Sequence, residues 1–440
     1  MFGYYLQLAI HSLRRNPVLT GLMVLSIAVG IGASMTTLTV MHLLSGDPLP
    51  GRSQHIFYPQ VDAVPDGKPH SDPPDKLDYT SAMDLWRAKR SDRQTLVVSS
   101  PVKLFAPGVA SPALMTSMLS VHGDFFPMFE VPFAYGTGWS AEDDGRHARV
   151  AVISSNLNDK LFGGHDSVGK TLHLRDADVR IVGVLKPWRP SPQYYTVAGG
   201  RFAQGDTASY YGKPQDVFVP FATGTEINDG HFNYFFCWGT PPTPGHLQNA
   251  PCVALQLWVQ LDTPAKVADY RRFLADYAAQ QQALGRISLP GNARLSSLMQ
   301  WLDFNRAVPA DVRLQSSLAL AFLVVCLFNT IGLLLAKFLR HSGEIGVRRA
   351  LGASRRSIFA QCLTEAGLIG LVGGLLGWAL TLIGLWAVRQ QPVEYADLVH
   401  LDLQMFALTF ALALAASLVA GWFPASRASR IAPAIQLKTL

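Results

Sequence analysis

Charged residues are scarce in this 440-residue chain. They make up 15% of the sequence, against about 25% in an average soluble protein, so a wholly soluble protein is not expected. The scarcity is concentrated in four apolar stretches, each as long as the roughly 20 residues that a helix needs to cross a bilayer. These stretches are Val18–Leu44, Leu314–Ala336, Ile358–Val388 and Leu403–Phe423. They predict four transmembrane helices, since buried helices of a soluble core are rarely this long.

Acidic residues are nearly missing from three short segments that flank these stretches. Residues 1–17, 337–357 and 424–440 hold eleven Lys and Arg but a single acid, Glu344. Lys and Arg accumulate on the cytoplasmic side of membrane proteins, which places these three segments in the cytoplasm. The net charge of +6 therefore reflects topology and does not indicate a nucleic-acid partner. Two connections are then expected outside: the large region 45–313 and the short loop 389–402.

The first apolar stretch lacks the marks of a cleaved signal peptide. Its 27 residues exceed the about 7–15 of a signal-peptide core, and no clear A-x-A site precedes Asp47. We therefore expect an uncleaved anchor. Residues 1–16 place apolar side chains on one side and end in Arg14 and Arg15, which fits an elbow helix lying on the inner membrane surface. Pro17 marks the turn into the first span; a frayed tail is the alternative.

Cysteine is rare, with four in the chain. Cys326 and Cys362 fall in or beside apolar stretches, where cysteine behaves as a small apolar residue. Cys237 and Cys252 fall in the outer region, which would be oxidising, and we predict a disulfide between them. Two reduced, buried thiols are the alternative.

The outer region shows no convincing set of catalytic or metal-binding residues. His231 and His246 lie near the outer cysteines but lack the paired short spacings of a zinc site. Gly164–Thr171, GHDSVGKT, matches the phosphate-binding pattern G-x-x-x-x-G-K-[ST]. That motif needs a strand before it and a helix after it, whereas here a short helix precedes it and a strand follows. We expect a Gly-rich turn, and a chain that is not an enzyme and binds no metal or cofactor.

Strands alternate with helices in the outer region. Its two ends read as β-α-β-β and β-α-β units, which can close into one α+β lobe with the middle inserted as a second lobe. The ends are predicted to hold the strands His55–Asp62, Thr95–Phe105, Ala113–Val121, Val253–Leu261 and Ala293–Trp301 and the helices Ser81–Lys89 and Ala265–Leu284. The middle is predicted to hold the strands Ala148–Ser154, Lys170–Leu174 and Val179–Leu185 and the helix Asn156–Phe162. Residues 187–250, rich in Gly, Pro and aromatics, are predicted as long loops.

A basic island, His341–Arg356, separates the second and third apolar stretches. Glu344 near its start and Gly352 near its end fit a helix of one to two turns. The four arginines of the island keep it out of lipid. We predict that a separate soluble protein docks on this island.

The third apolar stretch is rich in glycine and contains one acid. Glu365 lies about two turns into the stretch, where a carboxylate is costly unless it is paired. We expect an ion pair with Arg355, Arg356 or another base on the cytoplasmic side; a proton relay is the alternative. Four glycines at small-xxx-small spacing predict close packing on a neighbouring helix: Gly370, Gly373, Gly374 and Gly377.

Several segments together resemble one family. Glu344–Gly377, EIGVRRALGASRRSIFAQCLTEAGLIGLVGGLLG, resembles the signature of FtsX-type permeases, which include the MacB-like and lipoprotein-releasing subunits of ABC transporters. The ending Pro424–Pro433, PASRASRIAP, and the start Ser12–Ser34 are similar to the same family. Val121–Asp144 and Val150–Leu174 resemble the MacB-type periplasmic core.

The resemblance implies an architecture and a set of partners. It implies four transmembrane helices in a bacterial inner membrane, with a large α+β extracytoplasmic domain, porter-like lobe plus inserted lobe, between the first two. Two permease chains, identical or related, would bind two copies of a separate ABC ATPase subunit, which would hold the ATP and Mg²⁺. A periplasmic adaptor and an outer-membrane channel are left open as further partners. The residues that would couple to the ATPase are Glu344, Ile345, Gly346, Val347, Arg348, Arg349, Leu351 and Gly352.

The function implied by the resemblance is mechanotransmission. ATP hydrolysis inside would rearrange the outer domain and drive efflux or extraction of a hydrophobic, peptide or lipid-type substrate. The alternative is a regulator of a cell-wall hydrolase, as in the cell-division branch. The chain departs from the family at Gly343, where an Arg is common, and in the long segment 187–250. We also expect no fused nucleotide-binding domain, whereas MacB itself carries one.

Overall fold

The computed structural model describes residues 2–65, 72–105, 113–400 and 403–430. These residues form thirteen α-helices: α1 (Phe2–Arg15), α2 (Pro17–Ser45), α3 (Tyr79–Arg87), α4 (Phe125–Met128), α5 (Ala141–Gly145), α6 (Ser155–Phe162), α7 (Phe221–Ile227), α8 (Pro264–Ala283), α9 (Leu298–Phe304), α10 (Ala310–Arg340), α11 (Ser342–Ala350), α12 (Arg355–Arg389) and α13 (Leu403–Ser429). They also form twelve strands: β1 (Ile56–Gln60), β2 (Leu77–Asp78), β3 (Arg93–Phe105), β4 (Leu114–Val121), β5 (Phe133–Gly136), β6 (Val150–Ile153), β7 (Thr171–Leu174), β8 (Ala177–Leu185), β9 (Val217–Pro220), β10 (Phe236–Cys237), β11 (Cys252–Gln260) and β12 (Arg294–Ser297).

The chain divides into two compact units. The helical unit comprises Met1–Ser45 and Val308–Leu440, and the α/β unit comprises Gly46–Ala307. Among the described residues, four helices are long and apolar enough to cross a membrane, namely α2, α10, α12 and α13. These four helices coincide with the four apolar stretches of the sequence.

The spanning helices are longer than the apolar stretches predict. The second one, α10, runs past Ala336 to Arg340, so Lys337 belongs to a spanning helix and not to the connecting segment. The fourth, α13, continues through Pro424 to Ser429. The remainder of the predicted tail, residues 431–440, lies outside the described residues. α1 ends at Arg15 and α2 begins at Pro17, because proline fits the first turn of a helix but not its interior.

Glycines of α12 bring two neighbouring helices close. A Cβ added to Gly373 would lie 2.8 Å from Ile27 Cγ2 of α2, and one added to Gly374 would lie 2.8 Å from Ala413 Cβ of α13. The four glycines at small-xxx-small spacing thus form two stripes that face two helices, where the sequence predicts one packing face. The Gly373 stripe includes Gly377 and faces α2, and the Gly374 stripe includes Gly370 and faces α13.

The α/β unit is built on a twelve-stranded sheet. Its main order is β12-β1-β11-β3-β4-β9-β6-β8-β5, with β2 and β10 paired to β11 and β7 paired to β3 and β8. β12, β1, β11 and β3 come from the two ends of the unit, whereas β9, β6, β8 and β5 come from its middle. The insertion predicted from the sequence is therefore present, and one continuous sheet joins the inserted strands to the rest.

Strand β3 belongs to both halves of this sheet. Its residues Arg93–Val97 pair with β11, and Val97–Leu104 pair with β4. Its last residues, Leu104 and Phe105, pair with β7. β4 in turn pairs in parallel with β9, which links the two halves.

The segment 187–250 is more ordered than the prediction of long loops allows. It contributes β9 and α7 to the sheet region and β10 to the edge beside β11. Tyr195 is fully buried, and its carbonyl accepts a hydrogen bond from Trp258 Nε1 at 3.2 Å. Trp258 lies 4.9 Å from Tyr58, which stacks on Trp301 at 4.0 Å between ring centroids. The loop segment therefore supplies part of the aromatic core.

The predicted strand Ala293–Trp301 is wrong in its second half. The strand ends at Ser297, and the helix α9 begins at Leu298. Ser297 and Gln300 form a capping box, in which the Ser297 hydroxyl accepts from the Gln300 amide and the Gln300 side chain accepts from the Ser297 amide. A serine followed three residues later by a glutamine is a typical start of a helix. This spacing is the feature of the sequence that predicts the beginning of α9.

Candidate coupling site

The basic island forms the helix α11 between two spanning helices. Glu344 lies in its first turn and Arg348 in its last, so both charges oppose the partial charges of the helix ends. Only His341 separates α11 from α10. Gly352, at φ +101°, reverses the chain after the helix, and the Ser354 hydroxyl then caps α12 by accepting from the Ser357 amide at 3.2 Å. Short connections therefore join α11 to both α10 and α12.

The two faces of α11 differ in burial. Gly346 is buried, and Ile345 packs against the core of the helical unit. Val347 is 44% exposed and Leu351, just after the helix, is 83% exposed. Arg348 turns inward, since its Nη1 donates to Gln361 Oε1 of α12 at 2.9 Å.

The first helix, α1, is tied to α11. Arg15, the last residue of α1, forms an ion pair with Glu344 of α11. Next to it, Asn16 Nδ2 and His341 Nε2 lie 3.4 Å apart. Both side chains of the ion pair are at least half exposed, so the pair orients the helices more than it stabilises them.

A second ion pair lies buried beneath this one. Glu365 of α12 pairs with Lys337 of α10, and their side chains are 6% and 1% exposed. Ser12 of α1 donates its hydroxyl hydrogen to Glu365 Oε1 at 2.8 Å. Arg355 and Arg356 do not supply the partner, because they lie about 14 Å away along the same helix at 1.5 Å per residue. The partner of Glu365 is Lys337 instead. The sequence analysis left this possibility open as another base on the predicted cytoplasmic side.

Lys337 and Ser12 are the residues that sequence reasoning missed. The sequence could have indicated the pair, because Lys337 lies one turn before the end of one spanning helix and Glu365 is an acid without an obvious partner in the next. A cavity of about 150 Å³ lies among α1, α10, α11 and α12, and both ion pairs line it. Three helices in addition to α11 therefore meet at one polar cluster.

The other predicted sites are placed as follows. Cys237 and Cys252 form a disulfide, at a position where β10 and β11 are directly paired. His246 instead pairs with Asp229 at 2.7 Å, and within the described residues no group of three or more potential metal ligands occurs. Gly164–Thr171 joins the end of α6 to β7, the reverse of the element order that a phosphate loop requires.

These features define a class of protein: a membrane permease with four spanning helices and a large extracytoplasmic α/β domain between the first two. Family comparison is more specific, and the chain belongs to the MacB/FtsX-type permease family. The MacB-like periplasmic core domain matches residues 20–275, and the FtsX-like permease C-terminal domain matches residues 316–433.

Individual relatives extend this assignment. The chain is 27% identical over 311 residues to the macrolide export ATP-binding/permease protein MacB of Azoarcus sp., covering 70% of this chain and 40% of that protein. It is 23% identical to MacB 2 of Aeromonas hydrophila, covering 97% of this chain and 59% of the relative. It is 27% identical to the pyoverdine export ATP-binding/permease protein PvdT of Pseudomonas putida, with coverages of 70% and 41%. The chain thus spans about two to three fifths of the length of these relatives.

Proposed function

We propose that this protein is the permease subunit of an ABC transporter and that a separate ATPase subunit drives it through α11. Family membership supports the transporter class. The observation that carries the coupling role is the exposure of Val347 and Leu351 on a short helix joined to two spanning helices. ATP and Mg²⁺ would be bound by the partner, and this chain would supply the surface that the partner moves.

The proposed path of movement begins at α11. A force on Val347 and Leu351 displaces α11 together with the adjoining ends of α10 and α12. The Arg15–Glu344 pair and the Ser12–Glu365 hydrogen bond carry α1 with them. Since α10 and α2 are the two helices that connect to the α/β unit in sequence, movement at α11 becomes rearrangement of that unit.

We infer that the outcome is export or extraction of a hydrophobic, peptide or lipid-type substrate in a bacterial inner membrane. The relatives are named for macrolide export and pyoverdine export, two chemically different cargoes, which supports transport more than it supports any one substrate. Two permease chains with two ATPase subunits form the proposed assembly, to which an adaptor and an outer-membrane channel can be added.

The test is capture of the ATPase. The full-length chain, tagged and purified in mild detergent from its native membrane, should bring down an ATPase whose turnover is measured in the eluate. The double variant Val347→Asp, Leu351→Asp should lower both capture and turnover at least tenfold, because two charges replace the exposed apolar contacts.

A matched control uses the same chemical change elsewhere. Leu284 is 66% exposed on the α/β unit, and Leu284→Asp should leave capture and turnover unchanged. Undiminished capture by the α11 double variant would overturn the docking role. No ATPase with the unaltered chain would overturn the separate ATPase subunit.

A further inference from the structure

The α/β unit contains a cleft of about 980 Å³ that the coupling role does not use. Its volume is at the upper end of the about 300–1,000 Å³ typical of small-molecule sites. One side is formed where α3 ends and β3 begins. The other side is formed by the chain between β4 and the end of α5.

The walls of the cleft are aromatic. Trp86 lies on the α3 side, and Phe126 and Trp139 lie on the other. Trp139 stands edge-on to Phe126, with 4.9 Å between ring centroids. Gly138 permits this contact, because a Cβ there would lie 2.5 Å from the Phe126 ring. The cleft therefore offers flat apolar surfaces to a ligand with a ring or chain of its own.

A buried histidine supplies one polar atom to the cleft. His122 is 6% exposed and is stacked between Trp86, at 4.2 Å, and Phe221, at 5.2 Å. Its Nδ1 accepts the backbone N–H of Leu96 at 3.2 Å, so the ring hydrogen is on Nε2. Burial lowers the pKa of His122 to about 3, which keeps the ring neutral. Nε2 makes no hydrogen bond to the part of the chain that the structure describes, and it is left as a donor for a ligand.

Two carboxylates line the cleft without an ion pair to a described cation. Asp144 Oδ1 accepts from Trp139 Nε1 at 2.9 Å, and its Oδ2 accepts from the Gly123 amide at 2.8 Å. Asp124 Oδ2 accepts from the Gln94 amide at 3.2 Å. These bonds leave lone pairs on both carboxylates. Within the described ranges, neither carboxylate forms an ion pair.

The remaining charges of the cleft are largely compensated. Glu130 is paired with Arg52 at 2.8 Å, and Asp92 is paired with Lys266. Arg93 lies beside Asp92. Lys89 also lines the cleft, and among the described residues neither Lys89 nor Arg93 forms an ion pair with Asp124 or Asp144. Asp124 and Asp144 are therefore carboxylates of the cleft without an ion pair, and an ammonium group placed against both would compensate their charge.

We propose that this cleft binds a small amphipathic amine. Its ammonium group lies against Asp124 and Asp144, its apolar ring or chain lies against Trp86 and Trp139, and a carbonyl or hydroxyl oxygen accepts the His122 Nε2 hydrogen. Binding requires neither ATP nor the ATPase, so this proposal stands or fails separately from the coupling role.

The charge of Asp144 gives the site a pH dependence. Burial raises the pKa of Asp144 to about 6, against the lowering effect of the Gly123 and Trp139 hydrogen bonds; Asp124 and Asp143 raise it further. Asp144 is then mostly protonated at pH 5 and mostly charged at pH 7, so an amine binds more tightly at pH 7. The other charged or titratable groups that line the cleft are Lys89, Asp92, Arg93, His122, Asp124 and Glu130.

The experiment uses two dyes that share one fluorophore. Dansylcadaverine carries a primary ammonium group, and dansylamide carries none. Each is titrated onto the full-length chain in lipid nanodiscs, and binding is read as energy transfer from tryptophan to dansyl. Dansylcadaverine should bind at least tenfold more tightly than dansylamide at pH 7, and this preference should shrink severalfold at pH 5.

The variants locate the site. Asp124→Asn combined with Asp144→Asn should abolish the preference for the ammonium dye. Glu142→Gln, which removes an exposed acid of α5 outside the cleft, should retain it. Equal binding of both dyes, or a preference that survives the double Asn variant, would overturn the proposal. If the double variant does not fold, the single variant Asp144→Asn decides, since a preference for the ammonium dye that it leaves unchanged excludes Asp144.

Discussion

Glu365 is a carboxylate inside a spanning helix, and its surroundings show what allows it to be there. The Lys337 ammonium and the Ser12 hydroxyl both donate to it. Removing one member of a buried ion pair typically costs about 3–5 kcal/mol, because the other charge is left uncompensated. An exposed pair such as Arg15–Glu344 contributes roughly 0–1 kcal/mol.

A double-mutant cycle distinguishes the two pairs. Lys337→Met and Glu365→Gln should each destabilise the helical unit by several kcal/mol, whereas the double variant should recover much of that loss, giving a coupling energy above about 2 kcal/mol. The matched cycle with Arg15→Met and Glu344→Gln should give less than about 1 kcal/mol. Both are measured by denaturant unfolding in detergent. Similar coupling energies for the two cycles would contradict the difference in burial.

The sequence predicted that Glu365 is paired, but its partner depended on packing. A charged side chain inside a membrane span is costly unless an opposite charge compensates it. The hydropathy of the sequence is therefore enough to predict that Glu365 has a partner. Which base meets it depends on how α10 and α12 are rotated against each other. That rotation is set by contacts between distant parts of the chain.

Helix α12 illustrates how glycine acts at the scale of an element. Four of its six glycines form two stripes, because residues four apart lie close together on one side of a helix. The stripe 370/374 faces α13 and the stripe 373/377 faces α2. Gly367 of the same helix has room to spare, whereas Gly384 lies close to Thr36 of α2. The atom nearest to a Cβ added at Gly367 is Leu418 Cδ2, at 3.8 Å.

Two alanine substitutions should therefore change the stability of the protein in opposite directions. Gly367→Ala should stabilise the protein by up to about 1 kcal/mol, because alanine favours helix over glycine. Gly373→Ala should destabilise it by about 1–3 kcal/mol, because the added methyl group meets buried Ile27. The midpoints of thermal unfolding in one detergent provide the measurement. A stabilising Gly373→Ala would show that α2 and α12 are not in close contact.

Long periodic elements were predictable, whereas several short ones were not. The spans and the helices α3 and α8 follow from composition and capping, as in Thr263 and Pro264 at the start of α8. β9 has four residues and carries no alternation, yet it joins β4 to β6. Its place in the sheet is decided by its neighbours. α9 was mistaken for strand because its capping box follows a true strand without a break.

At the scale of the whole molecule, orientation in the membrane follows from charge. The segments rich in Lys and Arg predict that α11 is cytoplasmic and that the link between α12 and α13 is outside. Gly343 and Gln391 are exposed on these two segments. Each offers a position for a single added cysteine.

Labelling of intact cells tests this orientation. A membrane-impermeant maleimide should label Gln391→Cys and should leave Gly343→Cys unlabelled until the cells are permeabilised. The natural cysteines provide a low background, since Cys237 and Cys252 form a disulfide and Cys326 and Cys362 are buried. Labelling of Gly343→Cys in intact cells would reverse the predicted topology and with it the docking role of α11.

Family membership could be predicted from short motifs, whereas the ligand cleft could not. The motifs from Glu344 to Gly377 are contiguous in sequence, so they are visible without a fold. The cleft brings together Trp86, His122 and Asp144 from three separate elements. None of these residues has a spacing typical of a site.

The sharing of β3 between two halves of one sheet limits how the α/β unit can be divided in the laboratory. A fragment containing the inserted middle alone would leave β9 without β4 and β7 without β3. A fragment with the middle deleted would leave β4 without β9 and the last two residues of β3 without β7. Each fragment would expose a strand edge that pairs readily with other chains. Recombinant fragments, domain exchanges with relatives and crystallisation trials should therefore keep Gly46–Ala307 as one piece.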